Sequence, residues 1–362
     1  MKKIRQVKIQ DFKKLKSLFS RNHHEFMSNE AWHNLWKNPA IEISQSSSLG
    51  WVYEIKSKIV GHIGNYSTRY SIKKKKIKCS VLHGWIVDKK YRAVSIQLLR
   101  KYLSQKDQDF FLGTTTNAQA GKIMKLFNFN QIAVDGLNYS SIIILNLNNF
   151  LELFFNKKKL LFKKSIIFIL NKILSIILIK NLNKWKKNKI SNHIKKILKF
   201  EKTFDIFIKK YLKENKNLIE LNREAKWNNW LMLKKIESKK IWIFKSVKNN
   251  KINGYSACLI NRKGKFKYAQ LLDILVLKNN DQVYKDLMTA NIKEAYKRNC
   301  EYFEYRNSSN AKQEILKLFS CIRIKLKHNS FYYRSNNDQI KNILNKSKNW
   351  NPSSLDGDIL TR

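Results

Sequence analysis

"VDKKYRAVSIQLLRKYL", residues 87–103, reads as the end of a strand, a short turn and the start of an amphipathic helix. A basic turn at this point places cationic side chains next to the backbone amides and the positive end of the helix dipole. The stretch therefore predicts a site for an anion such as phosphate. Phosphate-binding turns normally carry glycine, however, and this one has none.

The chain around this turn, residues 1–147, alternates strands and helices. "IRQVKIQDFKKLKSLFS" predicts a strand and a helix with Phe12, Leu15, Leu18 and Phe19 on one face. A hairpin follows in "GWVYEIKSKIVGHIGNYSTRY", and the strand "KIKCSVLHGWIV" leads into the turn. After it come a short buried strand in "DFFLGTTT", a helix opening at Asn117 and a closing strand in "SSIIILNL".

Residues 222–334 repeat the same order, strand–strand–strand–helix–strand–helix. The repeat predicts an internal duplication, and hence two α/β domains, each with a mixed sheet (an α+β arrangement). Residues 335–362 read as a polar tail with "WNPSSLDGD" as its one distinctive string.

The middle segment, residues 148–221, reads as helical, apolar and rich in lysine. Lys163, Lys164, Asn171 and Lys172 interrupt its apolar run, which argues against a membrane-spanning helix. Two interpretations stay open. The segment is either a buried helical connector between the domains or an amphipathic element that lies on an anionic membrane through residues 160–182.

The formal net charge is +47, with 73 Lys and Arg against 26 Asp and Glu. Such a charge suits a polyanionic partner, but lysine and asparagine abound everywhere while glycine and proline are scarce, as codon bias in an AT-rich genome would produce. The four cysteines show no metal-ligand spacing, so we expect no metal site. With no apolar signal segment at the start, we expect a cytoplasmic protein, either free or held at the inner face of the membrane.

The opening turn resembles that of the GNAT acyltransferase superfamily, Gln/Arg-x-x-Gly-x-Gly/Ala, usually preceded by V-x-P-x-Y. In "VDKKYRAVSIQLL", Val87, Tyr91 and Arg92 match, while Ser95 and Gln97 stand where glycines are expected.

The following segment, "TTTNAQAGKIMKLFNF", is similar to the superfamily's N-x-x-A-x-x-x-Y-x-x-x-G-F. Asn117, Ala120 and Phe129 match, Met124 replaces the tyrosine and Asn128 replaces the glycine. Asparagine suits that last position because it enters the left-handed region more readily than most residues.

The resemblance implies an acyl-CoA co-substrate, acetyl-CoA or another acyl-CoA, with its pyrophosphate on the turn. Backbone amides do the binding there, and any residue supplies an amide. Ser95 is a mild change from glycine because its side chain is small. Gln97 is larger and either crowds the phosphate or donates a hydrogen bond to it. Arg92 adds charge-assisted hydrogen bonds to the phosphate. The expected cofactor contacts are Val87, Arg92, Ala93, Val94, Ser95, Ile96, Gln97 and Asn117.

The resemblance also implies direct transfer in a ternary complex, which needs a base and an acid. His83, four residues before Val87, is our candidate base, with a structural strand histidine as the alternative. Asp273 lies inside the apolar run "LLDILVL", either as a catalytic group or as a structural partner. Because Met124 cannot donate a proton, Tyr91, Tyr139 or a water is left as the acid.

The layout resembles the tandem GNAT acyltransferases associated with cell-surface polysaccharide and sugar biosynthesis, whose tails are similar to "LDGD". That likeness implies N- or O-acyl transfer to a sugar or a lipid-linked sugar, with Asp356 and Asp358 as substrate ligands; a floppy tail is the alternative. Two further hypotheses remain: a Fem-type transferase that uses aminoacyl-tRNA, and a non-catalytic member that serves as a peripheral membrane protein.

Overall fold

The computed structural model describes residues 2–40, 48–73, 75–146, 184–278, 280–306, 319, 321–326 and 331–357. Its strands are β1 (Lys2–Gln6), β2 (Gly50–Ile55), β3 (Lys58–Ile72), β4 (Lys75–Val87), β5 (Phe110–Gly113), β6 (Asn130–Gln131), β7 (Tyr139–Ile144), β8 (Ile194–Ile197), β9 (Glu220–Leu221), β10 (Ile241–Lys248), β11 (Lys251–Lys263), β12 (Phe266–Val276), β13 (Tyr302–Tyr305), β14 (Ile322–Lys325) and β15 (Tyr332–Arg334).

The α-helices are α1 (Phe12–Arg21), α2 (Asn29–Leu35), α3 (Val94–Leu103), α4 (Ala118–Leu126), α5 (Lys184–Lys187), α6 (Thr203–Glu214), α7 (Ala225–Glu237), α8 (Asp281–Lys297) and α9 (Asp338–Leu344). Short 3-10 turns include Lys89–Tyr91, just before α3, and Ser354–Asp356 near the end of the chain.

The first sheet has the order β1-β2-β3-β4-β5-β15-β6, with β9 added beside β3. Its strands are antiparallel except for β4 and β5, which run parallel because α3 carries the chain back between them. Helix α3 buries Val94, Leu98 and Tyr102 against one face of this sheet. Helices α1 and α2 cover the other face through a cluster that includes Leu15 and Trp32.

The second sheet has the order β14-β7-β13-β12-β11-β10-β8 and repeats the plan of the first. A long hairpin, β11–β12, precedes α8, and α8 returns the chain to β13, which is parallel to β12. The predicted α/β class with two mixed sheets is thus confirmed, and the similar order of elements in the second sheet is consistent with the predicted duplication. The helix predicted after β13 falls mostly on residues 307–318, outside the described residues.

Each sheet includes strand material from a distant part of the chain. β7, which the sequence places at the end of the first domain, pairs with β13 of the second sheet in the register Tyr302↔Ile144. β15, near the other end of the chain, pairs with β5 of the first sheet in the register Tyr332↔Gly113. The pattern of apolar residues within a strand sets which face is buried, but it does not specify the neighbouring strand.

The chain therefore divides differently from the linear boundaries at 147, 221 and 334. The first unit comprises Met1–Ala133, Asn215–Leu231 and His328–Arg362, and the second comprises Val134–Glu214 and Met232–Lys327. Residues 184–214 of the expected connector belong to the second unit, where β8 pairs with β10. Residues 147–183, including 160–182, lie outside the described residues. No helix among the described residues is long and apolar enough to cross a bilayer.

The tail packs into the first unit, contrary to the expected polar tail. Asp356 is buried, and its carboxylate accepts hydrogen bonds from the Tyr70 hydroxyl at 2.7 Å and the Ser353 amide at 2.7 Å. The buried Arg223 guanidinium lies 3.0 Å from Glu220 and 3.8 Å from Asp356. A buried charge is costly unless it is paired, and this cluster supplies the pairing that lets the polar tail be buried.

An ion-pair cluster at the start of the first unit joins β1, β2 and α1. The Arg5 guanidinium donates to Asp11 at 2.7 Å and to Glu54 at 2.8 Å, and Lys14 reaches Glu54 at 3.2 Å. The hydrogen bond from Arg5, and then that from Lys14, lowers the pKa of Glu54 to about 2. The carboxylate is therefore held ionised by its partners in the folded state.

We predict that Glu54→Gln lowers the free energy of unfolding by about 2 kcal/mol near neutral pH, because a charge-assisted hydrogen bond is lost. The pKa of Glu54 in the folded state lies below its ordinary value of 4.5, so this contribution is complete above about pH 5 and is lost as the pH falls toward 2. Chemical denaturation of both proteins at pH values from about 7 down to about 3 measures the difference across the range in which it should be lost. Glu25→Gln, at an exposed carboxylate, is the matched control, and a pH-independent difference for Glu54→Gln would contradict the analysis.

Candidate functional site

The parallel pairing of β4 with β5 stops before β4 ends. It runs from Cys79↔Phe110 to Leu82↔Gly113, while β4 itself continues to Val87. On its other edge, β4 remains paired with β3 as far as Gly61↔Val87. The last five residues of β4, 83–87, thus have a neighbouring strand on one edge and a gap on the other.

A β-bulge bends β4 at the gap. Ile63 of β3 faces two residues of β4, Gly84 and Trp85, because the register shifts between the pairs His62↔Ile86 and Gly64↔His83. Gly84 has φ +53°, in the left-handed region where glycine is favoured. The bulge lies in the part of β4 beyond its last pair with β5, Leu82↔Gly113.

A pocket of about 520 Å³ opens where the two strands part. Three segments of the first unit form it: the end of β4, the loop from β5 into α4, and the connection between α1 and α2 with the end of α1. Its lining residues are Phe19, His24, Glu25, Phe26, Met27, Leu82, His83, Gly84, Trp85, Ile86, Thr115, Thr116, Asn117, Ala120 and Met124. The wall is mixed, with apolar side chains beside imidazole, carboxylate and hydroxyl groups.

His83 lies in this wall, as a catalytic base would. Its ring is within 6.3 Å of the His62 ring and 6.0 Å of the Tyr66 ring, measured between centroids. Gly64 stands directly opposite on β3, and a Cβ there would lie 2.6 Å from His83 Cε1 and 2.7 Å from the His83 carbonyl oxygen. The imidazole therefore occupies space that only glycine leaves open.

His62, behind the bulge, is a buried neutral imidazole. Its Nδ1 lies 2.7 Å from the carbonyl oxygen of Gly84, which can only accept, so Nδ1 carries the proton. Burial, and next the neighbouring His83, lowers the pKa of His62 to about 3. The ring stays neutral at physiological pH and holds the backbone of the bulge through this bond.

The opening turn is exposed. Asp88 begins the turn and forms an ion pair with Arg21 of α1 at 2.8 Å. Further along, Ser95 is half-buried, and the exposed residues are Arg92, Ala93, Ile96 and Gln97. Val94 alone is buried, in the core beside Leu98, and Val87 packs against the same cluster. The Ser95 and Ile96 amides bond back to Arg92 and Ala93 at 3.0 and 3.3 Å, which tightens the first turn of α3.

Helix α4 begins as the sequence predicted. Asn117 is its N-cap, and the side-chain oxygen accepts from the Ala120 amide at 2.8 Å while the residue lines the pocket. Asn128 adopts φ +59°, the left-handed conformation expected where the superfamily carries glycine. Met124 is buried, and its sulfur lies 3.6 Å from the Thr116 hydroxyl.

The remaining predicted site residues are not gathered at the pocket. Tyr91 is exposed on the 3-10 turn before α3 and does not line it. Asp273 belongs to the second unit, where it is buried and accepts a hydrogen bond from the Tyr255 hydroxyl. Asp356 is buried in the tail cluster, and Asp358 lies outside the described residues. No cluster of three or more potential metal ligands occurs within the described ranges.

The sequence reasoning missed His24 and Glu25, which are exposed and line the pocket. The signal for them was the run His23-His24-Glu25 directly after the helix of the first strand–helix unit. This signal was weak because the local sequence pattern does not show that the loop lies close to the end of β4 in the folded protein.

No protein-family model matches the chain, and no curated protein matches it. Similarity to solved structures is extensive. A GCN5-related N-acetyltransferase from Anabaena variabilis gives a TM-score of 0.57 at 12% identity, over 93% of this chain and 74% of that chain. N-myristoyltransferase from Saccharomyces cerevisiae, with bound myristoyl-CoA, gives 0.56 at 11% identity, over 92% and 79%. The chain thus has the fold of the GNAT N-acyltransferases across most of its length.

We predict that Gly113→Ala narrows the pocket by displacing Met124. The new Cβ would lie 2.7 Å from Met124 Cε, the far end of a flexible side chain, and 3.0 Å from Thr116 Oγ1, so overpacking should lower the free energy of unfolding by about 1 kcal/mol. Met124→Ala is itself destabilising because it leaves a cavity, but in that background Gly113→Ala should cost little further stability. A double-mutant cycle by chemical denaturation measures the coupling, and simple additivity would contradict the proposed contact.

Proposed function

We propose that the first unit binds an acyl-CoA at the gap beyond Leu82 and Gly113, and that the acyl group passes directly to an acceptor. The observation that carries this proposal is the parting of β4 from β5 above a pocket of about 520 Å³. An unpaired strand edge presents backbone amide and carbonyl groups that need partners. The pantetheine arm of CoA carries amides of its own, so it can pair with this edge in place of a strand.

The pyrophosphate end of the ligand would lie at the turn into α3. Arg92 is exposed there, as are Lys89 and Lys90, while the one nearby carboxylate of the turn, Asp88, is held by Arg21. Gln97 is also exposed, so its extra bulk relative to glycine does not fill the pocket. Cationic side chains at the start of a helix favour a phosphate group without requiring glycine.

His83 would act as the base. It takes a proton from the acceptor amine or hydroxyl as that group attacks the thioester carbonyl, after which the carbon–sulfur bond breaks and CoA leaves as the thiolate. Because Met124 cannot protonate the thiolate and Tyr91 lies outside the pocket lining, that proton comes from water or from His24 at the pocket wall. Neutral His62 fixes the bulge that positions His83.

For the acceptor we propose a sugar or sugar-linked intermediate of envelope polysaccharide, and for the donor acetyl-CoA or a longer acyl-CoA. The support for the sugar is the tandem layout of two GNAT-like units. Burial of Asp356 removes one of the two carboxylates that the sequence suggested as its ligands. Mass spectrometry of small molecules retained by the purified protein would identify the acyl group directly.

We predict that Thr115→Trp abolishes acyl-CoA binding. Thr115 is exposed at the mouth of the gap, so an indole there fills the space beside β4 without entering the core. Isothermal titration of acetyl-CoA and myristoyl-CoA into the wild type should show binding of at least one of them. Gln119→Trp, on the exposed face of α4 and outside the pocket lining, is the matched control. Absence of binding by the wild type, or equal binding by Thr115→Trp, would reject the proposal.

We predict that Arg92→Ala weakens CoA binding by about 1–3 kcal/mol, the size of a charged hydrogen bond to phosphate. Arg100→Ala, which removes an exposed arginine from the last turn of the same helix, should leave the affinity unchanged. Titration with CoA and with dephosphorylated pantetheine separates the phosphate end from the rest of the ligand. An equal loss for both arginine variants would mean that the turn contributes only general positive charge.

A further inference from the structure

Strand β8 and helix α6 of the second unit carry an unusual surface. Leu198, just after β8, is 74% exposed, and Ile206 in the middle of α6 is 71% exposed. Of the described large apolar side chains, only Leu126 in the first unit is more exposed. Single exposed apolar residues are ordinary on protein surfaces, but two so prominent within nine residues of sequence form a local feature.

The packing of α6 explains why these two side chains point outward. Phe204, Phe207 and Tyr211 are buried, and Phe204 packs on Tyr255 of β11 with ring centroids 4.8 Å apart. Phe200, between β8 and α6, is likewise turned inward, 4.7 Å from the ring of Phe204. The inner face is thus filled by aromatic rings, and Ile206 is left on the opposite face.

Lysines surround the two apolar side chains. Helical spacing places Ile206, Lys209 and Lys213 on one stripe of α6, Lys202 directly precedes the helix, and all four residues are exposed. Residues 194–214 contain seven lysines against three carboxylates. Among these lysines, Lys196 forms an ion pair with Glu294 at 2.7 Å. Of the three carboxylates, Glu201 is exposed and Asp205 is half-buried. The third, Glu214, accepts a hydrogen bond from the Lys278 backbone amide.

We propose that this surface, defined by Leu198, Ile206 and the lysines at 199, 202, 209, 210 and 213, docks the second unit on an anionic lipid bilayer. The two aliphatic side chains would enter the boundary between headgroups and acyl chains, and the lysines would lie at the level of the anionic headgroups. Charge complementarity alone would suit nucleic acid equally well. The protruding leucine and isoleucine favour lipid, because a phosphodiester backbone offers aliphatic side chains no place to be buried.

This surface is made of residues other than 160–182 and other than those that line the acyl-CoA pocket. The buried aromatic residues Phe200, Phe204 and Phe207 fix the backbone behind this surface. Its exposed side chains can therefore be replaced without disturbing the core. Membrane docking through it does not depend on the proposed acyl transfer.

Flotation of the full-length protein with vesicles tests the proposal. The wild type should float with vesicles of phosphatidylserine and phosphatidylcholine, float poorly with phosphatidylcholine alone, and be released by added salt. The pair Leu198→Ser with Ile206→Ser and the pair Lys202→Glu with Lys209→Glu should each reduce partitioning by about tenfold or more. Circular dichroism and thermal unfolding confirm that each variant is folded.

Two matched controls separate this surface from the general properties of a basic chain. Leu126→Ser removes an equally exposed leucine of the first unit, and Lys13→Glu with Lys16→Glu reverses two exposed lysines of α1. Both controls should float as the wild type does. The proposal is overturned if the wild type does not float with anionic vesicles, if the β8–α6 variants float normally, or if the controls lose as much. Transfer RNA binding that only the charge variants lose, without vesicle binding, would also overturn it and identify a nucleic-acid surface.

Discussion

The early end of the pairing between β4 and β5 is the constraint on which the rest of the site depends. Parallel pairing lasts only from Cys79↔Phe110 to Leu82↔Gly113, although β4 stays attached to β3 up to Val87. Among the described residues, no strand pairs with this edge beyond Leu82, and the edge lies next to a pocket with polar and apolar walls. The bulge at Gly84, pinned by the neutral imidazole of His62, maintains this divergence.

Glycine is scarce in this chain, ten residues in 362. Its positions distinguish the turn into α3, which does without glycine, from the surroundings of the pocket, where the space is too small for a side chain. The turn into α3 has none, and Arg92, Ala93, Ile96 and Gln97 there are exposed, so a side chain at these positions meets no steric barrier. At the pocket the requirement is steric. A Cβ at Gly64 would meet His83, one at Gly113 would meet Met124, and one at Gly357 would lie 2.7 Å from the Thr114 hydroxyl. Here no other residue fits unchanged.

The end of the chain supports the same region. The Tyr66 hydroxyl donates to the Gly357 carbonyl at 2.9 Å. The Tyr70 hydroxyl, from the same strand, donates to the Asp356 carboxylate at 2.7 Å. Because the Tyr66 ring also contacts His83, the tail is one layer of packing from the pocket wall. In the buried cluster, the Arg223 guanidinium neutralises the carboxylates of Glu220 and Asp356. Removing one of these side chains would leave an opposite charge buried without compensation and would weaken the attachment of the tail.

Local pattern in the sequence determined the elements: the amphipathic face of α1, the two long hairpins, the start of α4 at Asn117, the left-handed Asn128 and the duplicated order of strands and helices. It also placed His83 near the end of β4. The tertiary structure alone decided that β7 joins the second sheet and β15 the first, that Leu355 and Asp356 of the tail are buried, and that His24 and Glu25 line the same pocket as His83. The physical reason is that periodicity records which face of an element is buried, whereas the neighbour that buries it is chosen by long-range packing.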